Sequence, residues 1–274
     1  MSILTYNFES EYLKNNHEVT VILPDKPRAL TPEEFYRSGR KYKVLWLLHG
    51  TFGDHSDWIR KSNIELYACE NDLIVVMPSA LNSDYLDWPG FGTGYQGWEY
   101  LEKELMPLVH HWLPASPRRE DNYIAGLSMG GMGAIQYAVG LPERFAAAAV
   151  LSWAPVNLRA QLAQGRLPDS PREANRIAAA GSVENYLNSA VNVWDRLPGS
   201  IREGDLPRLY FAMGKEDFLY ENFQAFRQYA GEIGLDAVIE DFDGYTHEWR
   251  FWDYSIQKAL TFFGLDTDSA GNPY

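Results

Sequence analysis

Short, nearly continuous apolar runs recur along this chain at 42–48, 73–77, 122–127, 145–152, 209–213 and 237–242. They lack the alternation of a half-solvated strand and stop at Gly, Pro or Ser, so each reads as a strand buried on both faces. Between them, 56–70, 98–112, 129–140, 218–234 and 248–263 carry apolar residues at helical spacing. Strand and helix in turn predict an α/β fold, a mostly parallel sheet with helices on both faces. Upstream, alternating segments at 3–13 and 18–23, parted by Asn15 and Asn16, predict an antiparallel hairpin at the sheet edge. The chain has 274 residues, 46% of them hydrophobic, enough to bury one large core, so 1–265 is expected to be a single domain. Segment 81–97, rich in Gly, Asp and aromatics, reads as a surface loop. Segment 154–206, with prolines at 155, 168, 171 and 198, reads as a helical cap insertion, and 266–274 as a flexible tail.

Charge and cysteine usage exclude some function classes. The 37 acidic against 24 basic residues give a net charge of -13, a field that repels phosphate backbones and anionic lipid, so neither nucleic acid nor membrane is an expected partner. The single Cys69 allows no intrachain disulfide and reads as a small buried apolar side chain. The N-terminus shows no basic and apolar leader pattern, and the expected location is cytoplasmic. Nothing in the sequence decides the oligomeric state, which leaves a homo-oligomer open.

The strongest chemical signal is Gly126-Leu127-Ser128-Met129-Gly130, set between the strand 122–127 and the helix 129–140. A serine in so sharp a turn takes a strained backbone, and small residues two before and two after it let the neighbouring elements approach. The helix N-terminus behind Ser128 supplies free N–H groups and a positive dipole end, suited to a tetrahedral oxyanion. Ser128 is therefore the candidate nucleophile.

A serine hydrolase of this strand–helix order carries its acid and then its histidine further along the chain, each in a loop after a strand. Of six histidines, only His247 follows Ser128, between the strand 237–242 and the last helix. Asp217, after the strand 209–213, is the candidate acid, with Glu216 its rival and Asp241 and Asp243 weaker because they lie at the next strand's end. The strand before His49-Gly50-Thr51-Phe52-Gly53 ends where an oxyanion donor is needed. Thr51 is the expected donor, Phe52 the alternative, and Met129 the second donor; His49 reads as a buried residue that orients the loop.

Together, LLHGTFGDHSDW, GLSMGGMGA, GKEDFLY and GYTHEWRFWD resemble the esterase D group of α/β-hydrolases, which includes tributyrin, acetyl and feruloyl esterases, S-formylglutathione hydrolases and mycolyltransferases. The resemblance runs in chain order over nearly the whole sequence. It implies the α/β-hydrolase fold and a cofactor-free, metal-free esterase, with Ser128, Asp217 and His247 at the family's triad positions and Thr51 and Met129 at its oxyanion positions. Segment 155–207 is longer and more helical than in the simplest members, and the cysteine-bearing glycine motif of S-formylglutathione hydrolases is absent. Trp88, Phe91, Trp98 and Trp153 are the candidate substrate-binding residues, an aromatic wall for a short acyl group (acetyl to butyryl) or a hydroxycinnamoyl ring. The expected substrate is a small ester; an acyltransferase or thioesterase would share the same triad.

Overall fold

The computed structural model describes residues 1–167 and 170–265, so the expected tail at 266–274 lies outside the described residues. The sheet strands are β1 (Ser2–Ser10), β2 (Asn15–Leu23), β3 (Val44–Leu48) and β4 (Ile74–Pro78). After a two-strand hairpin of β5 (Asp87–Trp88) and β6 (Tyr95–Gln96) come β7 (Asn122–Leu127), β8 (Ala147–Leu151), β9 (Arg208–Gly214) and β10 (Ala237–Phe242). The eight sheet strands are ordered β1-β2-β4-β3-β7-β8-β9-β10. Pairs β1/β2 and β2/β4 are antiparallel and all others parallel. Residues that follow β3, β7, β9 and β10 therefore emerge at one edge, the carboxyl ends of the parallel strands, where open α/β sheets place their sites.

Among the described residues, twelve α-helices accompany the sheet. The first three are α1 (Pro32–Tyr36), α2 (Asp57–Lys61) and α3 (Ile64–Glu70). Next, α4 (Gly97–Glu99) runs through a π-helical turn into α5 (Met106–Trp112), and α6 (Met129–Gly140) follows β7. Then come α7 (Leu158–Ala163), α8 (Pro171–Ala180), α9 (Val183–Leu187), α10 (Val193–Glu203), α11 (Tyr220–Glu232) and α12 (Trp249–Phe263). Because side chains alternate across a strand, β3 sends Val44, Trp46 and Leu48 to one core with Ile135, Tyr137, Leu197 and Phe226, and Leu45 and Leu47 to another with Trp58, Ile64, Phe251 and Ile256. Thus α6, α10 and α11 cover one face of the sheet, and α2, α3 and α12 the other. None of the described helices is long and apolar enough to cross a membrane.

Local expectations differ from the structure at several points. Segment 81–97 is no plain surface loop, since it forms the β5/β6 hairpin and buries Asp84, Tyr85 and Tyr95. The hairpin turns at residues 11–14, not at Asn15-Asn16, which open β2. Glu104, on the π-helical turn, accepts the Ser10 hydroxyl and the Glu11 N–H (2.8 Å), pulling the turn to that point. The helix expected over 56–70 breaks at Ser62, whose hydroxyl donates to Trp58 O (2.6 Å), and Asn63, whose N–H donates to Asp253 on α12 (2.8 Å). Cys69 is half-buried, not fully buried.

The segment between β8 and β9 carries α7 to α10. Its first part has a small core of its own, Leu158, Leu167, Tyr186 and Leu187. Its last helix, α10, belongs instead to the main sandwich through Val193 and Leu197, as the crossover that a parallel β8/β9 pair requires.

Candidate active site

Ser128 stands between β7 and α6 with φ 51° and ψ -116°, a backbone state that a non-glycine residue holds only under constraint. Its N–H donates to Leu151 O at the end of β8 (2.8 Å), and its carbonyl accepts from Met132 N–H (3.0 Å). The flanking glycines are required by contact: a Cβ on Gly126 would lie 2.3 Å from the Gly130 carbonyl, and one on Gly130 would lie 2.4 Å from Leu48 O. The first N–H groups of α6 have no partner within the helix, so Met129 presents a donor beside the Ser128 side chain.

His247 and Asp217 come together from two loops. His247 Nδ1 lies 2.8 Å from Asp217 Oδ2, and the Asp217 side chain is 0% exposed. The other carboxylate oxygen accepts the Leu219 N–H at 2.9 Å, which fixes its plane. Glu216 points elsewhere and accepts the N–H groups of Gly244 (3.1 Å) and Tyr245 (2.9 Å), bracing the loop that carries His247. Asp241 is held by Arg227 and Asp243 by Lys215, so neither reaches the imidazole.

Rings hold His247 on two sides: Phe218 at 4.8 Å and Trp252 edge-on at 5.1 Å. Trp252 Nε1 donates to Ser152 Oγ (3.0 Å), one residue past the carbonyl that receives the Ser128 N–H. The histidine loop and the serine turn are thereby anchored to the same end of β8.

After β3, buried His49 accepts the Ala80 N–H at Nε2 (2.8 Å), so its proton sits on Nδ1 and is donated to Gly50 O (2.7 Å). Burial holds its pKa below the ordinary histidine value, which keeps the ring neutral. Phe52 has φ 65° and a side chain turned to solvent, and its N–H donates to Asn82 Oδ1 (2.8 Å). That bond engages the Phe52 N–H within the protein. Nothing in the sequence near Phe52 signalled Asn82, which lies 30 residues away.

A cavity of about 650 Å³ is lined by Leu81, Asn82, Trp88, Phe91, Tyr95 and Ala178, among others. A smaller one against the oxyanion loop is lined by Thr51, Phe52, Asn82, Trp88, Arg172 and Asn175, so Asn82, Trp88 and Asn175 border both. Trp88 and Phe91 thus sit in the cavity wall. Trp98 does not: it stacks on Tyr137 (4.2 Å, 13°) and lines a separate hollow with Asp87 and Arg176. Trp153 packs beside Gly131 in the first turn of α6, where a Cβ on the glycine would lie 3.2 Å from it. Periodicity could not separate these four tryptophan and phenylalanine positions, because stacking partners such as Tyr137 are remote in sequence.

Comparison with known proteins agrees with this architecture. The Esterase family model matches residues 10–263. An acetyl esterase of Caldicellulosiruptor saccharolyticus is 28% identical over 281 residues, covering 98% of this chain and 100% of that protein. FphF, a fluorophosphonate-binding serine hydrolase of Staphylococcus aureus, superimposes with a TM-score of 0.81 at 28% identity over 97% of this chain and 98% of that one. An S-formylglutathione hydrolase (FrmB) from Staphylococcus aureus superimposes with a TM-score of 0.78 at 28% identity over 97% and 99%. This chain belongs to the Esterase family and is a carboxylic ester hydrolase with the α/β-hydrolase fold.

Proposed function

We propose that this chain is a serine carboxylesterase in which Ser128 is the nucleophile, His247 the general base and acid, and Asp217 the residue that orients His247. The observation that carries the reading is the 2.8 Å Asp217–His247 contact, at the sheet edge where Ser128 is held in a strained turn. Ser128 Oγ attacks the ester carbonyl carbon while His247 takes its proton. Asp217 keeps the imidazole in the tautomer with its proton on Nδ1, so Nε2 is the basic nitrogen. The carbonyl oxygen becomes an oxyanion facing the N–H groups of Thr51 and Met129. The carbon–oxygen bond to the alcohol then breaks, with His247 returning its proton to the departing oxygen. Water enters along the same path and releases the acid from Ser128.

The favoured substrates are esters of short acyl groups, acetyl to butyryl, or of hydroxycinnamic acids. The cavity lined by Trp88, Phe91 and Tyr95 offers a flat aromatic wall, and the likeness to an acetyl esterase supports the short-acyl end of that range. A thioester substrate is the second reading, favoured by the likeness to an S-formylglutathione hydrolase. Rates on acetyl, butyryl, octanoyl and feruloyl esters and on S-formylglutathione, with and without a competing alcohol, decide between them. Faster turnover of octanoyl than butyryl esters would sink the short-acyl reading, and dominant ester product with the added alcohol would recast the enzyme as an acyltransferase.

A further inference from the structure

Asp84 touches none of the three proposed catalytic side chains, yet its carboxylate is 1% exposed and meets two arginines from α8. Arg172 donates to both of its oxygens, from Nε at 3.0 Å to Oδ2 and from Nη2 to Oδ1. Arg176 Nε donates to Oδ2 at 2.8 Å. Each arginine also reaches onward. Arg172 Nη1 donates to Thr51 Oγ1 (3.0 Å), on the oxyanion loop, and Arg176 Nη2 lies 3.7 Å from Met132 Sδ, on the nucleophile helix α6.

The loop bearing Asp84 grips the oxyanion loop elsewhere too. Ala80 N–H donates to His49 Nε2, Asn82 Oδ1 accepts the Phe52 N–H, and Tyr85 hydroxyl donates to His49 O (3.0 Å). This gripping loop is strained, with positive φ at Leu81 (50°), Asp84 (58°) and Tyr85 (58°). Strain of this sort persists where surrounding contacts over-determine the backbone, and it gathers at functional sites. A buried ion pair contributes little net stability, because desolvation offsets its attraction, so stability alone does not account for a buried carboxylate between two arginines. An oxyanion donor, by contrast, must be held to within about 0.5 Å to act.

We propose that Asp84 is a positioning residue for the oxyanion hole: by fixing the Arg172 guanidinium it holds Thr51, and so the Thr51 N–H, where the developing oxyanion forms. The proposal rests on the esterase reading above and adds a residue to it. It makes α8 part of the catalytic framework, since removing α8 would remove the arginine that spans Asp84 and Thr51.

The test measures kcat and KM on p-nitrophenyl butyrate and Ki for butylboronic acid, whose tetrahedral adduct with Ser128 places an anionic oxygen in the hole. For Asp84→Asn, kcat is expected to fall by about 10- to 100-fold, KM to stay within threefold of wild type, and Ki to rise by the same factor as kcat falls. Arg172→Met, at a partly exposed position, should do the same and serves where Asp84→Asn does not fold. Thr51→Val should lose activity, and adding Asp84→Asn to it should cost little more. A folded Asp84→Asn or Arg172→Met protein with kcat and Ki within threefold of wild type overturns the proposal, as does a loss confined to KM or fully additive effects. Wild-type protein that neither hydrolyses esters nor labels with a fluorophosphonate would instead undo the esterase reading itself.

Discussion

Gly214, the last residue of β9, tests whether the two loops that join Asp217 to His247 are held by backbone contact. A Cβ there would lie 2.2 Å from Tyr245 O, 2.7 Å from Tyr245 C and 3.0 Å from Tyr245 Cβ, all rigid atoms of the loop that carries His247. No strain in φ is involved, so Gly214→Ala acts by collision alone. Restoring ordinary contact requires a shift of about 1 Å between the 214–217 turn and the 243–248 loop, across which the Glu216 N–H and the Asp217–His247 pair bond. A displacement of that size at a catalytic pair lowers turnover by about 100-fold, whereas overpacking costs only about 1–3 kcal/mol of stability. The assay pairs kcat on p-nitrophenyl butyrate with the rate of fluorophosphonate labelling at Ser128, both of which depend on a correctly placed base. Gly231→Ala on α11 is the control, because nothing lies within 4 Å of its added Cβ and activity should not change. A folded Gly214→Ala enzyme with kcat within threefold of wild type would falsify the account of the site as two loops wedged in register.

Ser128→Ala should lower kcat by about a million-fold, on the precedent of subtilisin; residual turnover within tenfold of wild type rules out this nucleophile. Asp217→Asn should lower kcat by about ten-thousand-fold, on the precedent of trypsin, while Glu216→Gln should have a far smaller effect, since its oxygens only brace Gly244 and Tyr245; the reverse order in measured kcat would reassign the acid. Burial holds the pKa of His17 down to about 4, against 6.5 for the exposed side chain. The unfolded chain therefore takes up a proton between pH 6.5 and 4 that the folded chain refuses, so the associated stability is fully present above pH 6.5 and is lost as pH falls toward 4. The shift corresponds to about 3 kcal/mol. Urea unfolding at pH 7 and pH 4.5 should show a smaller pH-dependent loss in His17→Gln than in wild type, and identical losses would exclude His17 as the source.

What the sequence legibly specified was local. The bounds 122–127, 129–140 and 237–242 read from apolar runs and helical spacing are those of β7, α6 and β10, because each element's pattern is carried by consecutive residues. Chain order likewise put Ser128, Asp217 and His247 after parallel strands, and parallel strands share one carboxyl edge. Gly126 and Gly130 were legible for the same reason: their contacts are with each other and with the end of the neighbouring strand β3.

Other features depended on partners far along the chain. Glu104 chose the position of the first turn, Asn82 took the Phe52 N–H, and Tyr137 took the ring of Trp98 out of the cavity wall. Asp217 and Glu216 are adjacent in sequence, and only the packing of the 243–248 loop brings its imidazole to Asp217 and its N–H groups to Glu216. Arg172 reaches across 88 residues to Asp84 and 121 to Thr51, a separation over which no periodicity carries information. Side-chain spacing and backbone sterics act between neighbours and can be read in order. Which buried polar groups meet is decided when the sheet and helices pack, because each must find a partner in the space that the rest of the chain leaves.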